Sequence, residues 1–313
     1  MANDELGVVV LAYGGGGEFR PLIDSLLAEG VAPDSILVVH NWAEAGEPAP
    51  STVAGVEVLR TEANLGYAGG INVGLACLLQ RGVGELLVLT HDARLRPGAL
   101  AALRGAAGAE PGFGILGPAL LLTGTEIPFS FGGVTNAEGA NAHRKEPPRG
   151  GTDGVYPCDW VDGGTMLVRR EVFERVGDFD ERFWGYCEEA DLCLRARRAG
   201  FAVGVVTAAR ADQAPGHGKR VGAWAYLTTR NGIEYAHRAR GLRGLTMITL
   251  RSLGIVALNL VRTALRGARL RPGGPAEPWA LAVGTWRGTV DRFRGRWGPP
   301  PPDLPGLGDI RHA

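Results

Sequence analysis

The chain has 313 residues, with 33 basic (Lys+Arg) and 33 acidic side chains and 45% hydrophobic residues, an ordinary soluble composition apart from 49 Gly and 20 Pro. That length can bury a substantial core, as one large α/β domain or one domain plus an appendage. The four cysteines, Cys77, Cys158, Cys187 and Cys193, form no C-x-x-C pair, which leaves buried reduced thiols and indicates neither a disulfide framework nor a structural zinc. Charge is uneven: from Arg230 onward 14 Arg stand against 5 acids, while the preceding part is equally acidic. A basic tail behind an acidic body suits an anionic partner such as a membrane surface or phosphorylated lipid, or arginines that simply solvate helices. MANDELGVVVLAY has acids where a secretory signal has basic residues, and its apolar run is short, so an intracellular protein is expected.

Leu6 to Tyr13 is an apolar, β-branched run ended by Gly14 to Gly17, after which Leu22, Ile23, Leu26 and Leu27 have helical spacing. Strand, glycine turn and helix open a β-α-β unit. No G-K-[ST] follows, which excludes a P-loop, and the G-x-G-x-x-G spacing fails at its last glycine. Ser35 to Asn41 and Val56 to Arg60 read as further strands. TEANLGYAGGINVGLACLL then supplies glycines that permit close approach to a diphosphate and a helix from Ile71 that can point its N-terminus at that anion. Glu85 to Thr90 is another buried strand, and Thr90-His91-Asp92 follows its C-terminal end, where ligands sit in open α/β sheets.

Pro97 to Ala109 is predicted helical, GFGILGPALL strand-like, and residues 124 to 157 a long loop or hairpin excursion. FAVGVVTAAR reads as a closing strand. From Gly241 an apolar helix pattern is broken by Arg251 and Arg262, which argues against a spanning helix and for docking or interfacial placement. PWALAVGTWRGTVDRFRGRWG is a second, basic helix, and PPPPDLPGLGDIRHA is expected to be disordered.

The densest chemistry lies between Trp160 and Gly200. Glu188, Glu189 and Asp191 open an amphipathic helix, directly after Phe183, Trp184 and Tyr186 and downstream of Gly163-Gly164. Acids in a first turn complement the helix dipole, but that alone does not call for the aromatics or the glycine pair. Clustered carboxylates raise one another's pKa, which suits a general base.

GGTMLVRREVFERVGDFDERFWGYCEEADLCLRARRAGF resembles the acceptor and base segment of family-two glycosyltransferases of the rhamnosyltransferase-like kind, whose usual form is G-x-x-M-L-x-R-R-x-x-F-x-x-V-G-G-F-D-E-x-F-F-x-Y-x-E-D-x-D-L-x-x-R. N-L-G-Y-A-G-G-x-N-x-G and the Tyr226, Arg230-Asn231 series extend the likeness over most of the chain. The resemblance implies a GT-A nucleotide-diphospho-sugar fold, an α/β mixed sheet flanked by helices, over residues 1–235, with a helical appendage over 236–298 and a tail over 299–313. It implies an inverting transfer of a hexose, such as the deoxyhexose rhamnose, from a nucleoside-diphosphate sugar to a hydroxyl of a glycan, lipid-linked or small-molecule acceptor.

By the same resemblance Glu189 falls at the catalytic carboxylate, with Asp191 and Glu188 as fallbacks. Tyr13, His40, Asn64, Gly66, Gly69, Gly70, Asn72 and Asp92 fall along the donor site, and Gly163, Gly164, Trp184 and Tyr186 along the acceptor side. Asp92 and His217 would hold Mg²⁺ or Mn²⁺. The chain departs from the family at Gly14 and His40, has T-x-D for D-x-D at Thr90, and has Glu for Asp at 189. These departures leave open a non-catalytic sugar-nucleotide-binding scaffold and, ranked last, a nucleotidyltransferase. No nucleic-acid partner is expected; peripheral membrane association at the inner face of the plasma membrane and a dimer remain open.

Overall fold

The computed structural model describes residues 5–13, 19–41, 52–147, 154–213, 221–267 and 277–305. The glycine turn at 14–17 and His217 lie outside the described residues. Two compact units emerge: Met1–Val134 with Ala142–Glu181 and Glu188–Pro215, and Thr135–Asn141 with Arg182–Cys187 and Gly216–Ala313.

The chain runs β1 (Leu6–Ala12), α1 (Arg20–Ala28), β2 (Ile36–His40), β3 (Thr52–Val53), β4 (Val56–Arg60), α2 (Gly66–Gln80), β5 (Glu85–Thr90), β6 (Arg94–Leu95) and α3 (Ala99–Ala109). It continues with β7 (Phe113–Leu122), β8 (Pro128–Ser130), β9 (Gly133–Thr135), β10 (Asn141–His143), β11 (Val155–Pro157), β12 (Thr165–Arg169), α4 (Arg170–Val176), α5 (Glu188–Arg198) and β13 (Ala202–Gln213), and ends with α6 (Val221–Gly267) and α7 (Glu277–Phe293).

In the first unit the main sheet has the order β11-β13-β7-β12-β5-β1-β2-β4-β3. Strands β5, β1, β2 and β4 are parallel, and β12 inserts antiparallel between β5 and β7. The central strands are continuous apolar runs because both faces are covered; Val8 through Val10 and Leu86 through Leu89 are fully buried. The excursion at 124–157 is not structureless: it carries β8 to β11, and β8 and β11 join the main sheet.

Helix α2 begins at Gly66, five residues before the Ile71 start that the sequence suggests. Its glycines let it press onto the sheet. A Cβ on Gly70 would stand 2.4 Å from Leu11 Cδ1, and one on Gly74 2.2 Å from Val9 Cγ2. These two positions are therefore packing sites, and Gly70 leaves the predicted donor set for that steric reason.

In the second unit α6 bends at Gly241, whose φ of 63° and ψ of −148° break the helix. Helix α7 crosses α6 through glycines: a Cβ on Gly284 would lie 2.3 Å from the Gly222 carbonyl oxygen, and one on Gly288 2.4 Å from that of Tyr226. Leu304 is buried in a cluster with Tyr226 and Leu227, and Asp303 pairs with Arg287 at 2.8 Å. The tail expected to be disordered is thus packed at least through Leu304, because a leucine among the prolines gives it an apolar anchor.

Candidate active site

The parallel strands end where the site begins. Thr90 closes β5, and its Oγ1 donates to Asp92 Oδ1 at 2.6 Å. From the end of β13, Gln213 Nε2 donates to Asp92 Oδ2 at 3.3 Å, and the Gln213 Oε1 is buried with no hydrogen-bond partner among the described residues. Arg94 lies next along the chain and feels the Asp92 charge, while burial lowers its guanidinium pKa. Among the described residues no three His, Cys, Asp or Glu side chains gather as a metal cage. One carboxylate plus an unsatisfied amide oxygen still fits a hard cation that takes its other ligands from phosphate and water.

The Gly163-Gly164 turn separates this group from a second one. A Cβ on Gly164 would lie 2.6 Å from Gln213 Oε1 and 3.5 Å from Thr90 Oγ1; one on Gly163 would lie 2.9 Å from Tyr67 Oη and 3.3 Å from Glu189 Cβ. Tyr67 Oη donates to the Gly163 carbonyl at 2.6 Å. Burial and then the charges of Glu188, Glu189 and Asp162 push its phenol well above the usual tyrosine range, so it stays protonated and keeps donating.

The three acids of α5 have different fates. Asp191 is fully buried and paired with Arg195 Nε at 2.7 Å, one helical turn on. Arg195 in turn caps the carbonyls of Val176 and Asp178. Asp191 is a structural pair and is removed from the candidate bases. Glu188 is buried. Glu189 is half-buried at the helix N-terminus, where the backbone N–H groups of Glu189 and Ala190 support its anion. Burial, then Glu188, then Asp162 raise its carboxyl well above the ordinary range.

The glycine loop is organised by Asn41. Its Oδ1 accepts from Leu65 N at 2.9 Å, and its Nδ2 donates to the Gly66 carbonyl at 2.8 Å and to Asn64 Oδ1 at 3.3 Å. Asn64 Oδ1 also accepts the Gly66 N–H, and Gly66 sits at φ 71°, a conformation that glycine adopts without cost. His40, predicted to meet the base, is instead 1% exposed with its ring 6.4 Å from that of Phe19. Strand β2 turns it into the core, so the base-edge contact is corrected. Asn72, another predicted donor ligand, is engaged elsewhere: Nδ2 donates to the Phe179 carbonyl and Glu181 Oε1, and Oδ1 accepts the Phe179 N–H. Gly69 sits against Leu65 Cβ, and Tyr13 follows β1 half-buried.

Trp184 and Tyr186 belong to the second unit, on a loop with three residues at positive φ: Trp184 at 64°, Tyr186 at 69° and Cys187 at 74°. Trp184 packs partly buried against the cluster of Tyr226, Leu227 and Leu304, and Tyr186 is exposed. Arg230, fully buried, donates to the Phe183 carbonyl at 3.0 Å and the Gly298 carbonyl at 2.8 Å, and stacks over Trp297.

No family model matches the chain. It is 28% identical, over 86% of its length and 97% of the relative's, to the N-acetylglucosaminyl-diphospho-decaprenol L-rhamnosyltransferase of Mycobacterium tuberculosis. A shorter match, 44% over 20% of this chain and 24% of the relative, is to the rhamnosyltransferase WbbL of Escherichia coli. The chain is a glycosyltransferase, similar over most of its length to rhamnosyltransferases.

Solved structures agree on the fold of this glycosyltransferase. GalNAc-T7 with UDP, GalNAc and Mn²⁺ superposes with a TM-score of 0.59 at 15% identity over 75% of this chain, which spans about half (48%) of that enzyme. The mannosyltransferase PcManGT of Pyrobaculum calidifontis, in complex with GDP-Man and Mn²⁺, gives 0.54 at 13% identity over 94% of this chain and 88% of that one. The expected mixed α/β GT-A fold is therefore the observed one.

Four side chains of the candidate site escape sequence reasoning: Asn41, Tyr67, Asp162 and Gln213. Asn41 ends the apolar run SILVVHN, Tyr67 stands inside a motif whose glycines draw the eye, and Asp162 directly precedes the glycine pair. Only the pairing of β13 with β6 and β7 brings Gln213 beside Asp92.

Proposed function

We propose that this glycosyltransferase is inverting, and that it moves a deoxyhexose such as rhamnose from a nucleoside-diphosphate sugar to a hydroxyl of a lipid-linked glycan. The carrying observation is the Gly163-Gly164 turn, with the Asp92 group against one glycine and Glu189 against the other. An in-line displacement needs this division: a base on the acceptor side, positive or polar stabilisation on the leaving-group side.

Glu189 takes the acceptor proton as the hydroxyl oxygen attacks the anomeric carbon. The bond from that carbon to the diphosphate oxygen breaks, and the diphosphate leaves with the electron pair. Glu189's raised pKa makes it a stronger base than a solvated carboxylate, and the helix N-terminus keeps its anion accessible. Asp92 and the Gln213 amide oxygen would hold a divalent cation, Mg²⁺ or Mn²⁺, which when bound supplies positive charge to the diphosphate. Asn41 and Asn64 keep the glycine loop in shape for the nucleotide. The lipid-linked acceptor follows the named substrate of the M. tuberculosis relative.

A peripheral place at the membrane, on the cytoplasmic side, is supported by α6. Its most apolar 18-residue window has a mean hydropathy of 1.6 and is only 22% buried, and Leu242, Leu250, Leu258, Val261 and Leu265 are exposed beside Arg243, Arg251 and Arg262. By length and composition α6 is long and apolar enough to cross a bilayer, the requirement that the two interrupting arginines argue against from sequence. Buried Ser252 and Asn259 bond back to the carbonyls of Ile248 and Ile255 on the opposite stripe. An in-plane seat, apolar side chains in and arginines at the headgroups, fits this pattern.

A panel of nucleoside-diphosphate sugars, screened for thermal stabilisation and for hydrolysis or transfer, tests the reading. Stabilisation and slow turnover by a deoxyhexosyl donor are expected. Binding without any turnover would instead make the chain a scaffold.

A further inference from the structure

Asp162 has no role in the reaction as described so far. It stands at the turn that separates the leaving-group side from the base side. Its Oδ1 accepts the Gly164 N–H at 3.1 Å, and a Cβ on Gly164 would touch it at 3.3 Å along with Gln213 and Thr90. Its side chain is 21% exposed, and its Oδ2 lies 3.9 Å from His143 Nδ1, beyond hydrogen-bond length.

The His143 ring is fixed on three sides. Ser130 Oγ is 3.0 Å from Nδ1, Trp160 meets the ring edge-on at 4.9 Å and Phe129 lies at 5.1 Å. Lys145, over the Phe129 ring, is a cation whose charge reaches Asp162. Asp162 in turn is felt by Glu189 and Tyr67 on one side and feels Asp92 on the other. It is thus the carboxylate between the two halves of the site, backed by an oriented imidazole and an ammonium group.

What occupies that interval during transfer is the sugar being moved, since its anomeric carbon must lie between attacking and departing oxygens. We propose that Asp162 is a specificity-determining residue that accepts a hydrogen bond from a hydroxyl of the transferred hexosyl ring, with His143 as its positioning residue. The inference rests on the transferase reading above. A carboxylate that accepts from a hydroxyl makes a charge-assisted bond, and a site built for a hydroxyl rejects analogues that lack it. The diphosphate end is served by other groups, so the contact bears on the sugar and not on the nucleotide.

The test pairs Asp162→Asn with donors that each lack one ring hydroxyl. On the wild type, one monodeoxy donor should lose about 10- to 100-fold in kcat/KM, the size of a hydrogen bond to a charged group. On Asp162→Asn the parent donor should fall by a similar factor, and that same deoxy donor should fall little further, while the Kd for the nucleoside diphosphate alone stays within about twofold. His143→Gln should show the same donor selectivity at smaller amplitude, and it carries the test if the Asn variant fails to fold. Equal penalties for every deoxy donor in wild type and variant would overturn the assignment. So would a parallel loss of nucleoside-diphosphate binding, which would move Asp162 to the leaving-group site. Failure of every nucleotide sugar to bind the wild type would strike the transferase reading itself and this proposal with it.

Discussion

Asn231 holds Tyr186 in a left-handed backbone conformation: its Nδ2 donates to the Tyr186 carbonyl at 2.9 Å, and to those of Phe183 and Gly185 at 2.8 and 2.7 Å. Arg230 Nε donates to Asn231 Oδ1 at 2.9 Å, so both ends of the amide are used. Non-glycine residues at positive φ cost about 1–3 kcal/mol each and persist only when neighbours over-determine them. Asn231→Ala removes the Asn231 bond to the Gly185 and Tyr186 carbonyls, while the Phe183 carbonyl keeps Arg230 Nη2. The variant should lose about 2–4 kcal/mol of unfolding free energy, read by denaturant titration. A loss below about 0.5 kcal/mol would show that the loop holds itself.

Glu189→Gln should lower turnover by about 10²-fold or more with donor binding nearly unchanged. Wild-type kcat/KM should rise with pH through an apparent pKa above the ordinary carboxylate range, and the variant should lose that limb. Stability moves the other way. A carboxyl whose folded pKa is raised binds its proton more tightly when folded, so its contribution is lost as pH climbs from the unfolded value through the folded one. The Gln variant should therefore melt higher than wild type at neutral pH, with the gap closing towards the unfolded pKa. A lower melting point at neutral pH would remove the strained-base account.

Asp92→Ala should weaken nucleotide-sugar binding and abolish any increase in thermal stabilisation when Mn²⁺ is added with the donor. Gln213→Ala should reduce the metal response by a smaller factor, since a neutral oxygen is a weaker ligand than a carboxylate. Persistence of the full Mn²⁺ effect in Asp92→Ala would place the cation elsewhere.

Asn41→Ala and His40→Phe separate scaffold from contact. Loss of Asn41 removes its bonds to the Leu65 N–H and the Gly66 carbonyl, so nucleotide affinity should drop about tenfold or more along with roughly 2–3 kcal/mol of stability. His40→Phe, which keeps the core filled, should bind nucleotide as wild type does. A selective loss of nucleotide affinity in His40→Phe would restore the base contact that its burial argues against.

Flotation with vesicles containing anionic lipid should recover the protein at low salt and release much of it at high salt. Replacing Leu250, Leu258 and Val261 with Ser should abolish recovery without lowering the melting temperature, because all three are exposed. Retained flotation in the triple variant would point to the arginines alone, and no flotation of the wild type would leave α6 without a lipid role.

The strands, the glycine loop, the acids that open α5 and the likeness to rhamnosyltransferases are all legible along the chain, because each is a pattern among residues within one or two turns of each other. So is the end of β5, where Asp92 follows the strand's C-terminal end. The division of labour among Glu188, Glu189 and Asp191 is not legible. Two adjacent acids on a helix point about 100° apart, and which one meets a site depends on Arg195 closing one face and on Tyr67 and Gly163 opening another. Asn72 and His40 carry motif positions yet bond or pack inward, since a motif records spacing and not the direction a strand or helix turns in the assembled sheet. Asp162, Tyr67 and Gln213 enter the site from separate segments, and burial raises the pKa values of Asp162 and Tyr67 only once the sheet has brought those segments together. Local pattern settled the elements and the likeness to glycosyltransferases; desolvation and long-range pairing, which exist only in the folded chain, decided which side chains come together at the candidate site.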